Sequence, residues 1–346
     1  MSKLGKLLLI FGIIALISAV AFGVSVAAFG AADGNYGISF WGGNIPFLRF
    51  GGKPEVQFRN GDTVYTFDFE SGRTYDQTFD AAALTDISIE VASAHSVITC
   101  SETDKAYVKY TAGDMSMRFT AEMKNGKFSV LEHSTGFFSF GSFRPAELEI
   151  RLPEKLYNDV AVAVASGSFS ADGLTSDKME VSLASGSLDM NVYARTLTYS
   201  AASGEGKLTN CTDKTSDKLK ISTASGSQTL NGFRPASTKV DIASGRVTMS
   251  DVSGSIDVNI ASGKVELDYA EWNGDLDIDL MSGKADITLP AGSGIDLDFD
   301  RASGGMDISL DGDSVSLSKD AGGSYGGSNI HKAEIDVASG HVSIHN

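Results

Sequence analysis

The stretch VDIASGRVTMSDVSGSIDVNIASGKVELDYAEWNGDLDIDLMSGKADITL spans residues 240–289 and repeats one short phrase three times. In each copy a Ser-Gly pair separates two runs in which apolar and polar residues alternate. Alternation with a period of two predicts a β-strand on each side of the pair. The pair itself predicts a corner, because glycine adopts left-handed backbone conformations at little cost.

The same phrase occurs nine times, at spacings of 18 to 22 residues except for 36 residues between the last two copies. The motif serines are Ser166, Ser185, Ser203, Ser225, Ser244, Ser262, Ser282, Ser303 and Ser339. A short constant period is typical of stacked coils, none of which buries its apolar face alone. The sequence therefore predicts an all-β fold: a single-stack β-solenoid, similar to a parallel β-helix, with about two main strands per ~20-residue coil.

Three features interrupt the repeat near its end. Arg301 stands at a position that is apolar in most copies, and the 36-residue spacing indicates either a missing motif or an insertion. The glycine-rich stretch 321–328 is predicted to be a loop that leaves the coil. Ile344 is an inward position of the last copy, so the final coil is expected to leave an unpaired edge.

Residues 89–98, IEVASAHSVI, resemble a tenth copy in which Ala94 replaces the glycine. On this basis residues 56–152 are predicted to be an N-terminal β region of the solenoid, and residues 153–346 its Ser-Gly repeat part. Cys100 and Cys211 fall at similar phases in coils several layers apart. That separation exceeds what a disulfide can bridge, so two free, buried thiols are predicted.

The N-terminus predicts a membrane anchor. Residues 7–32 contain no charged residue and follow Lys3 and Lys6. A run of this length is long enough to span a bilayer, and the lysines place the N-terminus in the cytoplasm. Residues 1–32 are therefore predicted to be a signal anchor or transmembrane helix of a single-pass cell-membrane protein, with residues 33–55 as a glycine- and aromatic-rich linker. The alternative is a long cleaved signal peptide; either way the bulk of the chain is extracytoplasmic.

Charge excludes nucleic acid as a partner and draws attention to the C-terminal third. The chain has 44 acidic and 28 basic residues, a net charge of −16. Residues 241–346 contain 19 of the acidic and six of the basic residues. Phosphate backbones need a basic face, which this balance does not provide.

Residues 146–174, AELEIRLPEKLYNDVAVAVASGSFSADGL, combine a strand, a Leu-Pro pair and the first Ser-Gly copy. Together with the later Ser-Gly units, this segment resembles the bacterial family of putative adhesins with β-strand repeats, domain of unknown function 4097. The resemblance extends over residues 84–346. It implies an envelope-exposed solenoid of unproven function and supplies no catalytic residues.

No known catalytic or cofactor-binding motif occurs in the sequence, so no enzyme activity and no cofactor are predicted. His341 and His345 alternate on one strand face, which allows a metal contact but is more typical of a solvated pair. Four phenylalanines in residues 133–145 suggest an apolar contact with a membrane or partner, or a cap on the core. They are Phe137, Phe138, Phe140 and Phe143.

The acidic columns are the candidate metal site. At two outward positions before the motif serine, carboxylates recur from coil to coil. They are Asp241, Asp257, Asp277, Asp279, Asp298, Asp300, Glu334 and Asp336. Coils stack about 4.8 Å apart, so these groups would repel one another unless water and salt screen them. The alternative hypothesis is that Ca²⁺ or Mg²⁺, which prefer oxygen ligands, bridges the columns weakly.

These observations favour a membrane-anchored, extracytoplasmic binding or scaffold protein of the bacterial envelope, without catalysis. One alternative is the ectodomain of an envelope-stress sensing or regulatory membrane complex. A less favoured alternative is a polysaccharide-processing β-helix enzyme. Expected partners are the membrane, through the N-terminal helix, and an unidentified envelope protein or glycan. Weak self-association through the last coil is also expected.

Overall fold

The structure is a computed structural model, and every regular element that it describes is a β-strand. The described residues are 36–40, 43–48, 55–61, 63–68, 70–115, 117–134 and 144–346. The predicted anchor at residues 1–32 and the phenylalanines of residues 137–143 lie outside them. Within these ranges no helical segment reaches the length and hydropathy that a membrane crossing requires.

Chain contacts divide the molecule into two compact units, with the division inside one strand. Of the described residues, those up to Arg195 form the N-terminal unit, and residues 196–346 form the C-terminal unit. The first strands are β1 (Tyr36–Phe40), β2 (Gly43–Leu48), β3 (Glu55–Asn60), β4 (Thr63–Asp68), β5 (Thr74–Asp80), β6 (Asp86–Val91) and β7 (His95–Ser101). They are followed by β8 (Lys105–Thr111), β9 (Met117–Lys124), β10 (Lys127–Ser134), β11 (Glu147–Pro153), β12 (Leu156–Val164), β13 (Ser168–Leu183) and β14 (Ser187–Ala201).

The C-terminal unit begins within β14 and continues with shorter and then longer strands. They are β15 (Glu205–Asn210), β16 (Lys218–Thr223), β17 (Ser227–Asn231), β18 (Ser237–Val252), β19 (Ser255–Tyr269) and β20 (Leu276–Thr288). The remaining strands are β21 (Ser293–Arg301), β22 (Gly305–Leu310), β23 (Asp313–Leu317), β24 (Ala321–Gly326) and β25 (Asn329–His345).

In the N-terminal unit two ladders run side by side and share β13. One has the order β13, β12, β6, β10, β9, β3 and β4; the other has the order β13, β7, β11, β8 and β5. Ile89 pairs with Val162 and Ile98 with Ala171, all in parallel register. The tenth copy of the repeat is therefore a coil of the stack, as predicted.

The C-terminal unit is built mainly of parallel coils in register. The motif serines of β18, β19, β20 and β25 face one another directly, from Ser244 through Ser262 and Ser282 to Ser339. The position four residues before each serine is fully buried, as at Val240, Val258, Ile278 and Ile335. Apolar residues alternate along both strands of each coil, and the alternation shifts by one residue at Ser-Gly. The apolar side chains of both strands therefore face one common core.

Stacking explains the glycine at the corner. Gly226 has φ +93°, and a Cβ added there would lie 2.2 Å from the carbonyl oxygen of Gly204 in the adjacent coil. Gly283 would meet the oxygen of Gly263 at the same distance. The residue is thus required by backbone conformation and also by the close approach of one corner to the next.

The order of strands in space differs from their order in sequence at the last coil. β25 lies between β20 on one side and β21 and β22 on the other, with parallel pairing on both sides. The expectation that the last coil leaves an unpaired edge is therefore wrong. The coil of Ser303 is the outer one, and β24 and β23 pair antiparallel with its strands.

The long spacing before Ser339 is an insertion. The prediction that residues 321–328 form a loop is wrong. Six of these residues form strand β24, because their backbone groups hydrogen bond to the outer edge of β21. Arg301 leaves the inward column: it is partly exposed, and its guanidinium donates to the carbonyl of Gly304. Cys100 and Cys211 are thiols, as predicted, but both are half-buried rather than buried.

Candidate functional site

The predicted carboxylates lie together on one side of the C-terminal unit. The first column, in spatial order, contains Asp257, Asp277, Glu334 and Asp298. The second column, two residues further along each strand, contains Asp241, Asn259, Asp279, Asp336 and Asp300. We call these two columns the acidic face. Glu334 and Asp336 lie in the middle of their columns, with a carboxylate on each side, because β25 lies between β20 and β21.

Two lysines form ion pairs with different carboxylates of the first column. The ammonium of Lys239 lies 2.9 Å from a carboxylate oxygen of Asp257, and that of Lys332 lies 2.8 Å from Glu334. The hydrogen bond to Glu334, followed by its charge, raises the pKa of Lys332. Burial lowers the pKa of Lys239, but the hydrogen bond to Asp257 and the nearby aspartates outweigh it, so its pKa is raised.

Asp241 differs from the other members of the acidic face because it is buried, with 6% of its surface exposed. The amide of Asn259 donates to Asp241 at 3.1 Å and to Asp257 at 3.0 Å, which joins the two columns. Burial raises the pKa of Asp241, although Lys239 and Lys220 act in the opposite direction. An amide and a lysine thus hold the start of the acidic face in place.

No cluster of three or more His, Cys, Asp or Glu side chains in the described ranges has an arrangement that would hold a metal ion. His341 and His345 each face a different carboxylate: Nε2 of His341 lies 3.0 Å from Asp307, and Nδ1 of His345 lies 3.5 Å from Asp286. The structure therefore brings the eight predicted carboxylates onto one face without joining the two histidines in a common site.

A buried carboxylate that the sequence analysis missed closes the first corner of the N-terminal unit. Glu132 on β10 is 1% exposed, and its Oε2 accepts hydrogen bonds from the backbone N–H groups of Ala92, Ser93 and Ala94 at 2.9 to 3.1 Å. The hydroxyl of Tyr110 donates to its other oxygen at 3.1 Å. Burial raises the pKa of Glu132, although these hydrogen bonds act in the opposite direction.

Another titratable group of interest in this unit is Glu90 on β6. Its Oε2 is buried without a hydrogen-bond partner among the described residues. Desolvation raises the pKa of its carboxyl from 4.5 to about 7, against the opposing charge of Lys127. Glu90 therefore changes its charge near neutral pH, unlike an ordinary surface glutamate.

A surface pocket of about 260 Å³ opens on the outward side of β7, β8 and β11. Its lining surface is mostly apolar, with contributions from Leu148 and from Val97, which is 36% exposed, and polar groups lie on both flanks. All of its lining residues belong to the N-terminal unit.

The model of the Toastrack domain, DUF4097, matches residues 84–345 of the chain. The chain belongs to the Toastrack family. A search of curated proteins found no match.

Several solved structures resemble this Toastrack chain at low identity. A putative adhesin from Bacteroides fragilis is 8% identical, covers 80% of this chain and 98% of its own, and has a TM-score of 0.33. A putative lipid binding protein from Parabacteroides distasonis is 13% identical, with 83% and 98% covered and a TM-score of 0.35. A putative cell adhesion protein from Clostridium sporogenes is 15% identical, with 79% and 99% covered and a TM-score of 0.20. At these scores the likeness carries no argument about function.

Sequence reasoning found the acidic face but not the pocket or Glu132. The columns of this Toastrack repeat recur with its period, so the pattern is visible in the chain itself. The pocket combines residues from three strands whose pairing the repeat does not encode. Glu132 has one visible signal, namely that Ala94 replaces the corner glycine of the tenth copy.

Proposed function

We propose that this Toastrack chain is a membrane-anchored, extracytoplasmic binding or scaffold protein of the bacterial envelope. The observation that carries the proposal is the acidic face, on which carboxylates recur at the strand spacing of about 4.8 Å along a parallel stack. A surface that presents the same group repeatedly suits a repetitive or extended partner of complementary charge. The uncharged run of residues 7–32 supports the membrane anchor and the extracytoplasmic location.

Affinity capture from bacterial envelopes, with the full chain as bait, tests the binding role. The double variant Asp277→Asn and Asp279→Asn removes two charges from the acidic face. A matched control, Asp311→Asn and Asp313→Asn, removes two charges near the β22–β23 turn. Capture that falls with the first variant and persists with the second supports the proposal. Equal capture by both variants would show that the acidic face does not bind the captured partner.

Protease treatment of intact cells tests the location separately. An extracytoplasmic chain is cut by added protease, whereas a chain that stays fully protected until the cells are lysed would contradict the proposed anchor and its orientation.

The acidic face is also proposed to attract Ca²⁺ or Mg²⁺ weakly, since hard cations prefer carboxylate oxygens. Thermal unfolding in millimolar CaCl₂ and in NaCl of matched ionic strength separates bridging from screening. A larger midpoint shift in Ca²⁺ is expected, and it should disappear in the Asp277→Asn and Asp279→Asn variant. Equal shifts in both salts would mean that screening alone operates.

A further inference from the structure

Two adjacent rows of side chains provide most of the pocket on the N-terminal unit, and Thr99 from the next row and Leu148 complete it. Parallel and antiparallel register place Glu149 between Lys109 on β8 and Val97 on β7. One row further, Glu147 lies between Thr111 and His95. β11 thus contributes two carboxylates at the centre of the pocket, and its neighbours contribute donors on both sides.

Two of these groups are held in position by residues around the pocket. Arg151 donates to Oε1 of Glu149 from Nε at 2.9 Å and from Nη2 at 2.5 Å. Nδ1 of His95 is hydrogen bonded to the hydroxyl of Ser168, so that its Nε2 stays available. A preorganised wall of this kind lowers the entropic cost of binding.

Two other groups have unused hydrogen-bonding capacity. Among the described residues neither the ammonium of Lys109 nor the carboxylate of Glu147 has a hydrogen-bond or ion-pair partner. Lys109 and Thr111 are both half-buried, and the hydroxyl of Thr111 is already hydrogen bonded to that of Thr74 at 3.0 Å. The ammonium of Lys109 and the carboxylate of Glu147 are the groups that a ligand would engage.

The chemistry of the wall selects the ligand class. An ammonium only donates hydrogen bonds and a carboxylate only accepts them, and here the two alternate at neighbouring positions. A hydroxyl can donate to one and accept from the other, so adjacent hydroxyls satisfy this alternation. An anionic ligand would meet Glu147 and Glu149, and a cationic ligand would meet Lys109.

Size and shape narrow the class further. A volume of about 260 Å³ falls just below the ~300 Å³ at which pockets for drug-sized ligands begin, so one small ring fits. The exposed face of Val97 offers an apolar surface for the C–H side of such a ring. The ring of Tyr107, one row away, is already covered by the guanidinium of Arg151 at 5.4 Å.

We propose that this pocket binds one neutral, hydroxyl-rich sugar ring of an envelope glycan. The assignment rests on the proposed function, for which it names a ligand class, but it uses a surface that is separate in sequence and composition from the acidic face. Lys109, Glu147 and Nε2 of His95 bind the hydroxyls, and Val97 packs against the ring.

Titration calorimetry of the full chain tests the assignment with three probes: maltotriose, chitotriose and a trigalacturonate. Lys109→Met removes the donor and retains most of the aliphatic stem, and Glu147→Gln removes the central charge. Lys105→Met is the matched control, because Lys105 lies on the same strand and face but does not line the pocket. Loss of a hydrogen bond to a charged group predicts that Kd for a neutral trisaccharide rises about tenfold or more in the first two variants.

Binding of a neutral trisaccharide that weakens in Lys109→Met and Glu147→Gln but not in Lys105→Met supports the proposal. No heat with maltotriose or chitotriose at 20 mM, or equal affinity in all variants, would overturn it. Tighter binding of trigalacturonate than of both neutral probes would overturn the ligand class. If envelope capture still depends on Asp277 and Asp279 while no sugar binds, the pocket assignment fails and the proposed function stands.

Discussion

Two glycine-to-alanine substitutions separate the cost of the corner conformation from the cost of coil stacking. Gly226 and Gly312 have nearly the same φ, +93° and +91°. A Cβ at Gly312 would meet no atom within 4 Å, whereas one at Gly226 would lie 2.2 Å from the oxygen of Gly204. Alanine at either position pays a left-handed penalty of about 1–2 kcal/mol. Overpacking against a neighbouring backbone adds about 1–3 kcal/mol at Gly226 alone.

We therefore expect Gly312→Ala to lower the free energy of unfolding by about 1–2 kcal/mol and Gly226→Ala by about 2–5 kcal/mol. Urea unfolding followed by tryptophan fluorescence measures both, because Trp272 is buried in the same unit as the two glycines. A Trp41→Phe background removes the second tryptophan of the chain. Equal losses in the two variants would refute the argument that the glycine is required by contact between adjacent corners.

Glu132→Ala is expected to lower the free energy of unfolding by about 3–5 kcal/mol, since it leaves three buried N–H groups and the Tyr110 hydroxyl without their acceptor. Glu132→Gln retains a carbonyl acceptor and should lose less than half as much by urea unfolding; an equal loss in both would contradict the hydrogen-bonding role. Glu90 has a folded pKa of about 7, above its usual 4.5, so its contribution to stability is fully present below pH 4.5 and is lost as pH rises through 7. Thermal midpoints measured from pH 4 to 8 should fall less steeply in Glu90→Gln than in the parent chain, and parallel profiles would show that another group titrates.

The period of the repeat was sufficient to predict the coils and their inward residues. Val258 and Ile278 are buried because alternation and the corner glycine determine which side of each strand faces the core. The same alternation predicts that the inward apolar residues of the incomplete copy at residues 89–98 are buried. That copy keeps the spacing of its apolar residues, although Ala94 replaces the glycine. The acidic columns could be predicted for the same reason: a period converts positions along the chain into neighbours in space.

Spatial order could not be read from the period. The strand of Ser339 has apolar residues at the inward positions that β21 and β22 also fill, except that Val337 stands where the Ser303 copy has Arg301, so its pattern fits next to β20 as well as at the outer edge. In the structure β23 and β24 pair antiparallel with the strands of the Ser303 coil and cover that outer edge, and the glycine-rich sequence of β24 resembles a loop. The pocket was unpredictable for a related reason, because Lys109 and His95 meet through β11, which comes much later in the chain.

The position of β25 has a consequence for how the molecule is made. β20, β21 and β22 precede β25 in the chain, yet in the finished stack β20 and β21 lie two strand spacings apart, about 9.6 Å, with β25 in the gap between them. Residues 329–345 supply the hydrogen-bonding partners for the facing edges on both sides of that gap. Ile278 and Phe299 occupy the same phase on the two sides, each directly opposite Ile335. The inward phase therefore does not by itself prevent β20 from pairing directly with β21, which would give a stack one coil shorter; β25 in the gap is what sets the length of the stack.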